Sequence, residues 1–284
     1  MALGRRELAA AAAIPIVLAV LFLAPPIAFN ALAAFVALGA LWEFYRIAEK
    51  TGHPVAKTAG IVLGSLVLGN AAILWGPIRF QTVSGLLVEI VARERPVRWL
   101  AIALAGALLV ALAPLLSRVA PGIALAGAGS TLFGVLTIAL PASAMCFLRH
   151  YSPRAVLFLL LLVWVCDSCA YYFGRRFGAH RLAPAVSPKK SWEGSIAGLI
   201  GATIFGAAAG GWWLLPELGA ARGAAAGALA STAGQLGDLV ESLWKRGGGV
   251  KDSGTFLPGH GGFYDRIDSL LFAGPVMAAF IALL

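Results

Sequence analysis

The sequence predicts an all-α, polytopic integral membrane protein with about nine transmembrane helices, and three observations carry that expectation. Hydrophobic residues fill 60% of the 284 positions and charged residues only 12%, with a mean hydropathy of +0.86. That composition lies far outside the soluble globular range. The apolar residues gather in runs close to the roughly 20 that an α-helix needs to cross the hydrocarbon. Lys and Arg, finally, are distributed unevenly between alternate connections, as the positive-inside rule requires.

Taken in order, a window of about 19 residues places spans near 8–24, 27–45, 59–77, 98–117, 122–147, 154–173, 194–214, 222–243 and 269–284. The first run, Leu8 to Pro25, follows Arg5 and Arg6 as a signal peptide would. It reads as a retained span, because no convincing cleavage site ends it and a second run from Ile27 follows at once. The eighth span is the least apolar and the ninth is short. An odd count puts the termini on opposite sides. With the N-terminus in the cytoplasm, 15 of the 22 Lys and Arg fall inside, among them Arg46, Lys57, Arg118, Arg175, Arg181, Lys190, Lys245 and Arg266. The connection 78–97 fits poorly: it carries Arg79, Arg93, Arg95, Glu89 and Glu94 yet falls outside. It reads either as a surface amphipathic segment or as a sign that the third span is misplaced. Abundant Ala and Gly suit close packing of spans. Residues 1–117 are read as a scaffold and 118–284 as the part that carries the chemistry.

Cys146, Cys166 and Cys169 all lie in apolar segments, where a disulfide framework is not expected, so they read as packing residues. The pair Cys166 and Cys169, without further ligands, is a weak metal signal. A net charge of +9 admits nucleic acid, anionic lipid or an anionic substrate. Cations at the cytoplasmic ends of spans favour lipid and substrate, with no nucleic acid.

All five aspartates, Asp167, Asp238, Asp252, Asp265 and Asp268, lie in the last 118 residues. A solvated surface would scatter its carboxylates, so the clustering points to a polar centre built by the C-terminal spans. Asp238, Ser242 and Lys245 recur at i, i+4 and i+7 on one helical face, with Glu241 bordering it. An acid inside an apolar run is costly unless paired or metal-bound, which makes Asp238 a functional candidate; the plainer reading is an interfacial stripe in which Lys245 snorkels. The following loop holds Lys245, Arg246, Lys251, Asp252 and several glycines, then Pro258-Gly259-His260-Gly261-Gly262, then Asp265, Arg266 and Asp268. Glycines let backbone N–H groups approach phosphate oxygens while Lys and Arg supply charge. Carboxylates beside such a pocket suit Mg²⁺, which binds one or two carboxylates together with the substrate's phosphates. Asp238 and Asp265 are the chosen ligands. Asp268 reads either as a third ligand or as a helix N-terminal acid paired with Arg266. His260 reads as a phosphate donor or acid–base group, or equally as a turn residue.

A second polar stretch runs from Asp167 through Arg175 and Arg176 to Ser187-Pro188-Lys189-Lys190-Ser191 on the same predicted side. Asp167 is expected to face the bundle interior and support the site. Ser187 and Ser191 are candidate helix caps, with Ser187 also a candidate substrate contact. Lys189 reads as a lipid-headgroup contact and Lys190 as a substrate contact.

These stretches resemble the phosphatidate cytidylyltransferases, or CDP-diacylglycerol synthases. The resemblance rests on Ser242-Leu-Trp-Lys245-Arg246, four residues, Lys251-Asp252-Ser-Gly, then His260-Gly-Gly-Phe-Tyr-Asp265-Arg266-Ile-Asp268. Gln235-Leu-Gly-Asp238 and Ser187-Pro-Lys-Lys-Ser-Trp-Glu-Gly194 add to it. It covers roughly residues 160–270. Cys169 and Tyr264 depart from the family pattern, where a Gly and an aliphatic residue are usual. The resemblance implies transfer of CMP from CTP to phosphatidic acid with release of pyrophosphate, a requirement for Mg²⁺, a monovalent cation such as K⁺ beside it, and a homodimer. It implies metal contacts for Asp238 and Asp265, and phosphate contacts for Ser242, Lys245, Arg246 and Lys251. The setting would be the inner or plasma membrane of a bacterium, with the site facing the cytoplasm. Phosphatidate is already an anion, so the expected catalysis is positioning and charge neutralisation without a strong base. The rivals are a CTP-dependent polyprenol or phytol kinase, which would release CDP, and an ion-coupled transporter, for which no matched pair of broken spans is seen.

Overall fold

The computed structural model describes residues 5–52, 54–74, 86–116, 119–256 and 261–284. The helices are α1 (Arg5–Phe22), α2 (Pro26–Lys50), α3 (Lys57–Leu74), α4 (Leu86–Leu116), α5 (Pro121–Gly134), α6 (Leu140–Tyr151), α7 (Pro153–Phe177), α8 (Trp192–Trp212), α9 (Gly219–Gly247) and α10 (Tyr264–Ala282). Helices α5 and α6 run on through a π turn, Val135–Ala139. The turn lies just before Pro141, which has no N–H to return to the preceding turn. The helical runs coincide with the predicted spans. Among the described residues, five are long and apolar enough to cross a membrane: Pro26–Lys50, Trp99–Leu116, Pro121–Tyr151, Pro153–Phe177 and Trp192–Trp212. The all-α membrane class therefore holds, while five rather than nine segments meet that measure. Helix α9 is long but less apolar, being rich in Gly and Ala and carrying Arg222, Asp238, Glu241, Lys245 and Arg246.

The poorly fitting connection 78–97 is helical from Leu86 onward, as the start of α4, and 75–85 lies outside the described residues. A short hairpin that sequence reading had not anticipated joins α7 to α8. In it β1 (Arg181–Ala183) pairs antiparallel with β2 (Ser187–Ser191), Ala183 opposite Ser187. Ser187 is therefore a strand residue and not the expected helix cap. Ser191 is the cap: it accepts from Gly194 N at 3.2 Å. Ser152 does the same for α7, accepting from Arg154 N with Pro153 at the first helical position.

Among the described residues, two apolar clusters form the interior. One joins α7, α8, α9 and α10 through Phe158, Leu162, Ala202, Ala226, Ala230 and Met277. The other joins α2, α3, α4, the π turn and α10 through Leu41, Tyr45, Leu63, Val110, Ile138 and Leu271. Helix α10 contributes to both, so its first turn is located by the two halves together.

Helices α8 and α9 share the largest interface in the bundle. It is made of small residues: a Cβ on Gly206 would strike the Gly223 carbonyl, and one on Gly227 the Ala202 carbonyl. In a membrane such contact replaces the missing hydrophobic drive between helices. Gly206→Ala is accordingly expected to lower stability by about 1–3 kcal/mol, the usual cost of overpacking. Gly129→Ala, where nothing lies within 4 Å of the new methyl, is expected to leave it unchanged or raise it. Thermal unfolding in detergent, followed by tryptophan fluorescence, checks both.

Candidate active site

A cavity of about 610 Å³ opens where α7 ends, the hairpin turns and α8 begins, walled on the far side by α9. Arg175, Arg181, Lys189 and Lys190 line it, facing Asp167 and Asp238. Four cations against two carboxylates favour an anionic guest. Close backbone approach creates the space. A Cβ on Gly194 would meet the Ala170 carbonyl, and one on Gly178 would meet the Gly174 carbonyl and the Ser191 side chain. At the cavity floor Gln235 is fully engaged. Its Oε1 accepts from Ser195 Oγ, and its Nε2 donates to Ser195 O and Ser231 Oγ, both at 3.2 Å. That lock sets α8 against α9 one turn before Asp238. It brings Lys190, just ahead of α8, to 2.6 Å from Asp238 Oδ2.

Along α9 the spacing of Asp238, Glu241, Ser242 and Lys245 puts their side chains on one buried face. Ser242 Oγ lies 3.5 Å from Asp238 Oδ1. Asp268, from the first turns of α10, meets this face. One carboxylate oxygen each from Asp238, Glu241 and Asp268 lie within 4.8 Å of one another. Glu241 is 1% exposed, and its Oε1 has no hydrogen-bond partner among the described residues. Its Oε2 lies 2.5 Å from Lys245 Nζ. Three converging carboxylates, one with an unclaimed buried oxygen, form a donor set that suits a hard divalent cation.

Asp265 lies beside this group, with hydrogen-bond partners on both oxygens. Its Oδ1 accepts from Lys245 Nζ at 2.6 Å, and its Oδ2 accepts from Ser253 N and Gly262 N at 2.8–2.9 Å and lies 2.9 Å from Ser253 Oγ. Burial raises the Asp265 carboxyl, but Lys245 and these N–H donors outweigh it and hold the group well below the usual carboxylate range, at about 2. Both oxygens have partners here, and the carboxylates that gather within 4.8 Å of one another are Asp238, Glu241 and Asp268. Gly261 makes the turn possible: its φ is +80°, and a Cβ there would strike Asp265 Oδ2.

The remaining expected residues lie at the margin. Arg246 Nε donates to Val186 O at 3.3 Å and its Nη1 to Val250 O at 3.2 Å, which ties the end of α9 to the hairpin. Lys251 and Arg266 are exposed, and Ser187 lies on β2 outside the cavity lining. His260 lies outside the described residues. Asp167 lines the cavity directly, and so does Lys189, which had been assigned to lipid alone. Sequence reading missed the cavity roles of Arg175, Arg181 and Gln235, and above all Glu43. This acid of α2 is 6% exposed. It accepts from Ser253 Oγ at 2.8 Å, Tyr264 N at 2.9 Å and Phe263 N at 3.1 Å. The signal was present, since Glu43 is an acid inside an apolar run, the argument that singled out Asp238.

Comparison with known proteins adds to the geometry. The chain is similar to phosphatidate cytidylyltransferases of three bacteria. It is 48% identical over 143 residues to that of Haemophilus influenzae, covering 47% of this chain and 49% of the relative. Identity to the Staphylococcus saprophyticus protein is 45% over 146 residues, covering 46% and 52%. Identity to the Brucella suis protein is 38% over 166 residues, covering 55% and 58%. The matched region spans about half the length of these curated relatives. A family model described as the cytidylyltransferase family matches residues 4–284. A cation-lined cavity, a carboxylate group beside it and a match along nearly the whole chain converge on one conclusion: this chain belongs to the cytidylyltransferase family.

Proposed function

We propose that this protein transfers CMP from CTP to phosphatidic acid, giving CDP-diacylglycerol and pyrophosphate, with the site open to the cytoplasm. The observation that carries the reading is the cavity in which Arg175, Arg181, Lys189 and Lys190 face Asp238, next to the carboxylates of Glu241 and Asp268 and at the ends of membrane-length helices. A soluble triphosphate enters such a cavity from water, while a lipid phosphate reaches it from the bilayer. The four cations offset the charge of two anions that would otherwise repel. A phosphatidate oxygen then attacks the α-phosphorus in line, the bond to the β-phosphate breaks, and pyrophosphate leaves with its electron pair. The attacking oxygen needs no base. Lys190 exchanges its partner Asp238 for phosphate as the nucleotide arrives. Asp238, Glu241 and Asp268 would hold Mg²⁺, which when bound neutralises phosphate charge and fixes the orientation of the triphosphate.

The test is purified protein in phosphatidate-containing micelles with Mg²⁺ and CTP labelled at the α-phosphate. Label in lipid together with pyrophosphate is the expected outcome. CDP release without lipid label would instead identify a kinase, and loss of transfer on chelation, restored by Mg²⁺, is expected of the carboxylate group.

A further inference from the structure

We propose that Glu43 is a positioning residue for this transfer, acting from α2 on groups of the opposite half of the chain; the role rests on the reaction proposed above. Helix α10 begins at Tyr264, and its N-cap residue, Phe263, makes no side-chain cap. The first N–H groups of a helix need acceptors. Glu43 supplies them from another helix, taking Phe263 N on Oε1 and Tyr264 N on Oε2. The same Oε2 accepts from Ser253 Oγ, across 210 residues of sequence. Ser253 Oγ also lies 2.9 Å from Asp265 Oδ2. A hydroxyl has one hydrogen to give, but Ser253 N reaches Asp265 at 2.9 Å independently. The hydroxyl can therefore serve Glu43 while Asp265 keeps its backbone donor.

Glu43 thus fixes the start of α10 and the turn around Ser253 together. Asp265, which holds Lys245, and Asp268, which completes the carboxylate group, both lie in the first turns of that helix. The surroundings are shaped for the carboxylate: a Cβ on Gly254 or Gly262 would collide with its oxygens. One turn earlier on α2, a Cβ on Gly39 would collide with the Phe263 ring, so Phe263 seats against α2 only because residue 39 has no side chain. None of these groups lines the nucleotide cavity. Moving them is expected to disturb the reacting geometry rather than nucleotide capture, and a misplacement of about 1 Å costs on the order of 100-fold in rate.

The experiment uses the full chain in nanodiscs. In Glu43→Gln the amide NH₂ faces a backbone N–H, so one cap contact is lost. We expect kcat for CMP transfer to fall about 10- to 100-fold with KM for CTP within about threefold. Hydrogen exchange should quicken in peptides covering 250–256 and 261–268, and stay unchanged in α7 and α8. Gly262→Ala, which keeps the carboxylate but crowds it, should reproduce the kcat loss, and the double variant should be no worse than the poorer single one. A kcat within twofold of wild type in Glu43→Gln would overturn the proposal, as would exchange that quickens throughout the bundle. A wild-type protein without CMP transfer would remove the reaction itself and the positioning role with it; an active wild type beside an unaffected Glu43→Gln would remove only the role of Glu43.

Discussion

Asp238→Asn is expected to lower the rate of the proposed CMP transfer by about 100- to 1000-fold, the range seen when one preorganised electrostatic group is removed from an active site. The residue stands at the junction of the two parts of the site. It lines the cavity, pairs with Lys190 at 2.6 Å, and contributes an oxygen to the group with Glu241 and Asp268. Asparagine keeps the shape and removes the charge, so the loss should fall on kcat and on the Mg²⁺ concentration needed for half-maximal rate. Lys190, freed of its partner, remains available to phosphate, and KM for CTP should change little. Glu49→Gln is the control. Glu49 pairs with Lys57 at the surface, where its side chain is 41% exposed, and such pairs contribute little; its rate should stay within about twofold of wild type. Steady-state kinetics over a range of Mg²⁺ and CTP concentrations separates these effects.

Lys245→Met is expected to cost both activity and about 3–5 kcal/mol of stability, the range for removing one partner from a buried ion pair. Lys245 is 12% exposed at its side chain and lies 2.5 Å from Glu241 and 2.6 Å from Asp265. Methionine fills similar space but leaves two buried carboxylates without their cation. The pH dependence gives the sign. The Asp265 carboxyl is held at about 2, so its contribution to folding is fully present above the ordinary carboxylate value of about 3.9 and is lost as pH falls towards 2. Without Lys245 that carboxyl titrates higher, so its contribution at neutral pH is smaller. The deficit of the variant should therefore be largest near neutrality and shrink in acid, where the stranded carboxylates take up protons. Thermal unfolding between pH 2 and 8 measures it. A deficit that is constant across this range would mean that Lys245 acts through packing alone.

Much of this was legible along the chain, for a reason that differs between fold and site. Long apolar runs report on the bilayer as solvent, because any segment that cannot satisfy its own backbone there is excluded; hence the helices match the expected segments. The face of Asp238, Ser242 and Lys245 was equally readable, since helical periodicity is a local property. Ser191 was recognisable as a cap by its type and place, whereas Ser187 was not distinguishable from it until the hairpin showed it on a strand. That Glu241 joins Asp238 and Asp268 while Asp265 sits among its own donors was not legible, because it depends on where separate segments come together. Asp265 is occupied by Lys245, Ser253 and Gly262, and Glu241 is left with an open oxygen.

By itself, then, the sequence determined the solvent this protein folds in, the helices that result, and which stretches hold the charged groups. Composition, apolar length and helical period are sums over neighbours in the chain, so they survive without coordinates. The tertiary structure alone decided which carboxylates gather within 4.8 Å of one another and that Lys245 sits between Glu241 and Asp265. It also decided that an acid on α2 caps a helix more than 200 residues away. Those choices turn on hydrogen bonds of 2.6–3.1 Å between distant segments, and a contact of that length is specified only when the packed bundle brings both partners to one place.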